Sequence, residues 1–222
     1  MDIEANIKEV QRRMAQACER SRRSVDEITL VAVTKGFEAQ AIRAAFDSGI
    51  KDFGENRVQE AEEKIAQLKD LRSAVTWHMV GHLQSNKAKS AVELFDIIHS
   101  VDSMKLAEIL NRRAEKSLPV LLEVNVSGEA TKGGFSVGET AATIKEIKQL
   151  TNLKTIGLMT VAPFVADPEA VRPVFRKLRE LRDSLGLEHL SMGMTDDFEV
   201  AVEEGATMLR IGRAIFGERR QQ

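Results

Sequence analysis

The 222-residue sequence has no tyrosine, one tryptophan, four prolines and a single cysteine, Cys18. One thiol cannot close an intramolecular disulfide, so the fold must rest on burial of apolar area, and a reducing compartment suits it. Cys18 falls in a helical pattern and reads as a small buried or half-buried hydrophobe. No apolar run approaches the roughly 18 residues of a membrane span, and residues 1–6 mix acids and apolar residues without the core of a secretion signal. A soluble, cytoplasmic protein is the expectation. Charge of one sign is also missing: 32 basic and 34 acidic residues are interspersed, for a net charge of −2, which argues against nucleic acid as a partner. There is no His/Cys cluster at metal-ligand spacing, no HExxH, no GxSxG and no GxxxxGK[ST], so metal hydrolysis, serine hydrolysis and P-loop phosphoryl transfer drop out. Without a Pro-, Gly- or Ser-rich linker the chain reads as one domain over 1–222, with monomer as the default.

Present instead is a regular alternation. Ile3, Ile7, Val10 and Met14 recur at helical spacing and predict an amphipathic helix over 2–23, packed on the outside of the fold. Eight short apolar runs follow, at 28–33, 52–54, 76–80, 96–100, 120–126, 155–160, 189–193 and 208–211. Helical patterns intervene, among them 39–48, 58–71, 103–116, 138–150 and 168–185. Strands covered on both faces by helices should be apolar throughout, as in Leu30-Val31-Ala32-Val33. Eight strand-then-helix repeats predict a single α/β domain, a (β/α)₈ TIM-type barrel with an extra N-terminal helix. A doubly wound sheet is the alternative, but the turn after the first strand, Thr34-Lys35-Gly36-Phe37, lacks GxGxxG. Residues 127–135, with Gly128, Gly133 and Gly134, form the best lid candidate.

Barrel sites are built at the C-terminal ends of the strands, so the residues just past each run carry the functional expectation. Lys35 follows the first strand, where burial and neighbouring cations favour the neutral amine that a Schiff base needs; a solvated turn lysine is the even-odds alternative. After the presumed strands 7 and 8 stand Gly193-Met194-Thr195 and Gly212-Arg213, where glycines admit an anion, Thr195 offers a hydroxyl and the following helix an N-terminal dipole. Together they point to a phosphate-bearing ligand. Arg210 lies inside a strand-like run and must meet a carboxylate, a phosphate or a ring nitrogen; a salt bridge to Glu123 or Glu55 is an equal alternative. His78 reads as a satisfied core imidazole.

Taken together, Val31-Ala32-Val33-Thr34-Lys35, Phe53-Gly54-Glu55-Asn56, Trp77-His78, Leu83-Gln84-Ser85-Asn86-Lys87, His99-Ser100-Val101-Asp102-Ser103, Gly157-Leu158-Met159, Ser191-Met192-Gly193-Met194 and Arg210-Ile211-Gly212 resemble the pyridoxal phosphate homeostasis protein family over nearly the whole chain. The resemblance implies a barrel like the N-terminal domain of alanine racemase, with pyridoxal 5′-phosphate (PLP) held as a Schiff base on Lys35. It places the phosphate at Met194, Thr195, Gly212 and Arg213, Arg210 near the pyridine nitrogen, and Asn56 facing the cofactor. Arg213 stands where the family often has a small hydroxyl residue, which leaves open whether its side chain or only its backbone N–H reaches the phosphate. The implied role is buffering PLP or delivering it to PLP-dependent apo-enzymes. The alternatives are a PLP-dependent racemase or isomerase, and a phosphosugar or aldolase barrel. Racemisation needs two acid/base groups on opposite faces, and the tyrosine and C-terminal domain that alanine racemase uses for the second are not in this sequence.

Overall fold

A computed structural model of the chain describes residues 2–129 and 131–218. The eight expected strands all form: β1 (Thr29–Val33), β2 (Asp52–Glu55), β3 (Thr76–Met79), β4 (Ile97–Val101), β5 (Leu118–Asn125), β7 (Leu153–Met159), β8 (His189–Ser191) and β9 (Met208–Ile211). Every neighbouring pair is parallel, β1 pairs with both β2 and β9, and β4 pairs with β5, which closes the barrel. Val31, Ala32, Val120, Leu121 and Leu122 have no exposed surface, as strands between a helical layer and a filled interior require. The expected strand over 189–193 ends early because Gly193 turns to φ +92°, outside the extended region.

The outer layer comprises α2 (Ala39–Asp47), α3 (Val58–Gln67), α4 (Ala88–Leu94), α5 (Met104–Arg113), α6 (Val137–Ile147), α7 (Arg172–Ser184) and α8 (Phe198–Glu203). Among the described residues β9 is followed only by α9 (Arg213–Phe216), four residues long and too short to cover it. The eighth position is filled by α1 (Ile3–Ser21), which packs on α8, α9 and α2. The extra N-terminal helix thus stands as a stave of the helical layer, between α8 and α2. Asp2 caps it by accepting from Ala5 N–H, and Arg22 at φ 57° ends it. Its buried Ile7, Val10 and Met14 contribute roughly 1.5–3 kcal/mol each. Asn6 Nδ2 donates to Ile215 O at 2.9 Å, and Arg13 pairs with Glu199 at 2.7 Å.

Two expected helices break. The 58–71 pattern stops at Gln67 and resumes as a single 3₁₀ turn at Lys69–Leu71, and 168–185 opens with a 3₁₀ turn, Pro168–Val171. A two-residue strand, β6 (Phe135–Ser136), pairs with β5 beyond the barrel and was not expected, since two residues carry no periodicity. It pins one end of the 127–135 loop. Asn125 pins the other, accepting from Gly128 N–H at 3.0 Å and donating to Glu129 O at 2.9 Å. Among the described residues no helix is long and apolar enough to cross a membrane, and no group of His, Cys, Asp and Glu could hold a metal.

Candidate functional site

Lys35 occupies the first corner of a turn in which Phe37 N–H donates to Thr34 O at 3.0 Å, and Gly36 supplies the φ of 77° that the second corner requires. Both flanks of the lysine are held from α3. Lys64 Nζ, on a side chain only 7% exposed, donates to Thr34 O, Glu55 Oε1 and Glu60 Oε1, each at 2.7 Å. Thr34 Oγ1 donates to Glu55 at 2.5 Å, and Gly36 N–H donates to Glu60. Burial pushes the Glu55 carboxyl up, against the pull of Lys64. Burial is also the largest single influence on Glu60, but there the hydrogen bonds from Lys64 and Gly36 N–H and the charges of Lys64 and Arg57 together outweigh it, and the carboxyl is lowered. Glu60 and Lys64 were not singled out from sequence, and Glu55 was considered there only as a strand-end carboxylate and a candidate partner of Arg210. The available signal was the Glu60/Lys64 pair at i, i+4 beside a site strand.

The loops after β8 and β9 meet each other. Thr195 Oγ1 accepts from Ala214 N–H at 3.2 Å, joining them side by side. Gly193 is required by packing as well as by its positive φ, since a Cβ would lie 2.6 Å from Ala201 Cβ. The expected helix dipole behind Thr195 is not on offer. The first N–H groups of α8, those of Asp197 and Phe198, donate to Met194 O at 3.1 and 2.9 Å, and Asp197 Oδ1 accepts from Met194 N–H at 2.6 Å. Arg213 pairs with Asp196 and lies 3.5 Å from Glu218, so its guanidinium is committed to carboxylates at the rim.

Arg210 is 5% exposed and has no carboxylate within ion-pair distance among the described residues, so neither Glu123 nor Glu55 takes the role considered for it. Its Nη1 donates to Ser191 Oγ at 2.6 Å and its Nη2 to Thr160 O at 2.9 Å. Burial in this neutral setting lowers its pKa to about 10, which leaves it a cation at neutral pH. Beyond Ser191 run His99 and His78, both fully buried, to Asp52. His78 is the hydrogen-bonded core imidazole expected of it. His99 was missed as a site residue because a lone strand histidine carries no motif. Glu123, also inside the barrel mouth, is pushed up by burial and by Asp102, against the influence of Arg210.

Lys35, Asn56, Met194, Thr195, Arg210, Gly212 and Arg213 all line one cavity of about 390 Å³ at the C-terminal mouth, with Phe37, Val33 and Val80 as apolar walls. Asn56 is seated by Gly81, where a Cβ would collide with the Asn56 backbone. The volume suits a small ligand. Three cationic groups, one hydroxyl, one amide and the carboxylates of Asp196 and Glu218 surround it; with Arg213 held by those carboxylates, Lys35, Arg210, Thr195 and Asn56 form a donor set matched to a phosphorylated, electrophilic ring.

The family model described as the alanine racemase N-terminal domain matches residues 2–220. A pyridoxal phosphate homeostasis protein from Aquifex aeolicus is 45% identical, covering 96% of this chain and 97% of that one. The Pseudomonas aeruginosa protein of the same name is 44% identical over 98% and 96%. PipY of Synechococcus elongatus PCC7942, solved with PLP bound, is 39% identical with a TM-score of 0.82, over 94% of this chain and all of that one. Alanine racemase from Corynebacterium glutamicum, at 16% identity and TM-score 0.69, shares the fold over 62% of its length. The chain belongs to the alanine racemase N-terminal domain family and, within it, to the pyridoxal phosphate homeostasis proteins.

Proposed function

We propose that the chain holds PLP on Lys35 and serves intracellular homeostasis of that cofactor, buffering it or passing it to PLP-dependent apo-enzymes, as one domain acting as a monomer in the cytoplasm. The observation that carries this reading is the convergence of the Lys35 amine and the buried Arg210 cation on one cavity with the Thr195 loop. When bound, the cofactor supplies an aldehyde that condenses with the Lys35 amine with loss of water. Lys35 is the attachment point, and the turn clamped by Lys64 and Glu60 orients it. Met194, Thr195 and Gly212 receive the phosphate, with Arg213 contributing through its backbone, since its side chain is held by Asp196. Asn56 faces the phenolic oxygen. Arg210 presents N–H donors to the ring nitrogen, and a donor that stays charged keeps that nitrogen free of its own proton, so the ring accepts electrons poorly. That arrangement favours holding over turnover, as does the lack of any tyrosine to act opposite the lysine.

The test is the visible absorbance of purified protein titrated with PLP, followed by borohydride reduction and mass mapping, with Lys35→Ala in parallel. Wild type should gain a visible band that reduction fixes on the Lys35 peptide, and the variant should not. A wild type that shows only the absorbance of free PLP at saturating PLP, with nothing fixed on Lys35 by borohydride, refutes the proposal and restores the phosphosugar or aldolase reading.

A further inference from the structure

The barrel interior contains a polar line that cofactor attachment does not need. From Arg210 Nη1 it passes to Ser191 Oγ at 2.6 Å, from Ser191 to His99 Nδ1 at 2.8 Å, from His99 Nε2 to His78 Nδ1 at 2.9 Å, and from His78 Nε2 to Asp52 Oδ1 at 3.0 Å. Ser191, His99 and His78 have no exposed surface. Asp52, the first residue of β2, is 27% exposed in its side chain, so the line joins the cavity wall to a carboxylate within reach of solvent.

Donor chemistry gives the line a direction. A carboxylate only accepts, so His78 Nε2 carries a proton. A neutral His78 then has a bare Nδ1, which accepts from His99 Nε2–H. A neutral His99 is bare at Nδ1 in turn and accepts the Ser191 hydroxyl proton, and Ser191 Oγ is left to accept from Arg210, which can only donate. All four bonds are satisfied and point from Arg210 toward Asp52. The reverse order fails at both ends, because it would set a second donor against Arg210 or leave the carboxylate facing a bare nitrogen. Adding a proton to either imidazole reverses the His99–Ser191 bond and places a second cation in the same buried line as Arg210. The surroundings of the imidazoles agree: burial first, then His78 on β3, Arg210 on β9 and His189 on β8 disfavour charge on His99, and Asp52 is the carboxylate that takes a direct hydrogen bond from the pair.

We infer that Asp52, His78, His99 and Ser191 are positioning residues that fix Arg210 in one orientation against the cofactor ring, with Asp52 setting the direction of the whole chain from the far side. This rests on the assignment of Arg210 to the ring of PLP. Asp52→Asn keeps the size but can present an amide N–H to His78 Nε2, which would flip both imidazoles to the other tautomer and turn Ser191 into an acceptor of two donors.

The decisive experiment pairs two readouts on the full chain. Histidine side-chain ¹⁵N shifts of the cofactor-free protein should show His78 and His99 neutral at pH 7.5 and protonated on Nε2. Asp52→Asn should move both, and His82→Gln, outside the line, neither. On PLP titration Asp52→Asn should shift the visible band and weaken binding on the order of tenfold, within the range of coupling between separate sites, while Asp52→Glu restores both. A proton on His99 Nδ1 in wild type, or a charged His78–His99 pair at that pH, overturns the chain. So does an Asp52→Asn protein that folds, as judged by its amide spectrum, and binds PLP with wild-type band and affinity. If Asp52→Asn does not fold, His78→Gln takes its place under the same criteria. A wild type without a visible band defeats the cofactor assignment and this role together, and the nitrogen shifts then separate a chain that is real from one that is not.

Discussion

Replacing Lys64 with methionine removes a cation that makes three hydrogen bonds at 2.7 Å beneath the attachment lysine while nearly keeping the side-chain length. Glu55, with no exposed surface, then loses its compensating charge, and breaking such a buried pair costs about 3–5 kcal/mol. Protonation of Glu55 limits the loss, because its carboxyl is already pushed up by burial and rises further once Lys64 is gone. A net cost of about 3 kcal/mol lowers Tm by roughly 6–12 °C for a chain of this size. The sign of the pH dependence is fixed. A carboxyl whose folded pKa exceeds its unfolded one destabilises the fold above that pKa and ceases to do so as pH falls through it, so the gap between wild type and Lys64→Met must narrow from pH 8 toward pH 5. Thermal and urea melts across that range, with Glu55→Gln/Lys64→Met to close a double-mutant cycle, provide the assay. A gap under 1 kcal/mol at pH 8, or one that widens on acidification, would refute the reasoning. The Thr34–Phe37 turn should loosen with it, seen as slower borohydride fixation of PLP on Lys35.

Arg210→Met should stabilise the cofactor-free protein, since burial that lowers the guanidinium to about 10 marks a buried-cation penalty of roughly 3 kcal/mol, while lowering PLP affinity at least tenfold; a lower Tm without PLP counts against this. Gly193→Ala, with φ +92° and a Cβ 2.6 Å from Ala201, should cost about 3 kcal/mol in urea melts, whereas Gly138→Ala, with open space around it, should be nearly silent.

The barrel was legible because short apolar runs alternate regularly with one-sided helical patterns, and the site because chemistry in this fold gathers where strands end. Lys35, Asn56, Thr195 and Arg210 could be found by reading one residue or so past, or just inside, the apolar runs. What stayed hidden depends on contacts that no periodicity of the sequence encodes. The helix N-terminus behind Thr195 looked available until Met194 O was seen to occupy it. Arg210 looked in need of a carboxylate, but Ser191 and Thr160 O satisfy it from neighbouring strands without charge. Asp52 and His78 lie 26 residues apart and His78 and His99 21 apart on three adjacent strands, and only the parallel pairing of those strands brings them into line.

The use of α1 as the eighth stave also bears on how the protein is made. Its partners α8 and α9 are separated from it by nearly the whole chain, as are β1 and β9 across the seam. During synthesis the first helix leaves the ribosome with its Ile7, Val10 and Met14 stripe uncovered and must wait for the last strand before that stripe is buried. Contacts of such high sequence separation place closure late and make it slow, so the half-made barrel, with an open seam and an unpaired β1 edge, is the form most in need of chaperone protection.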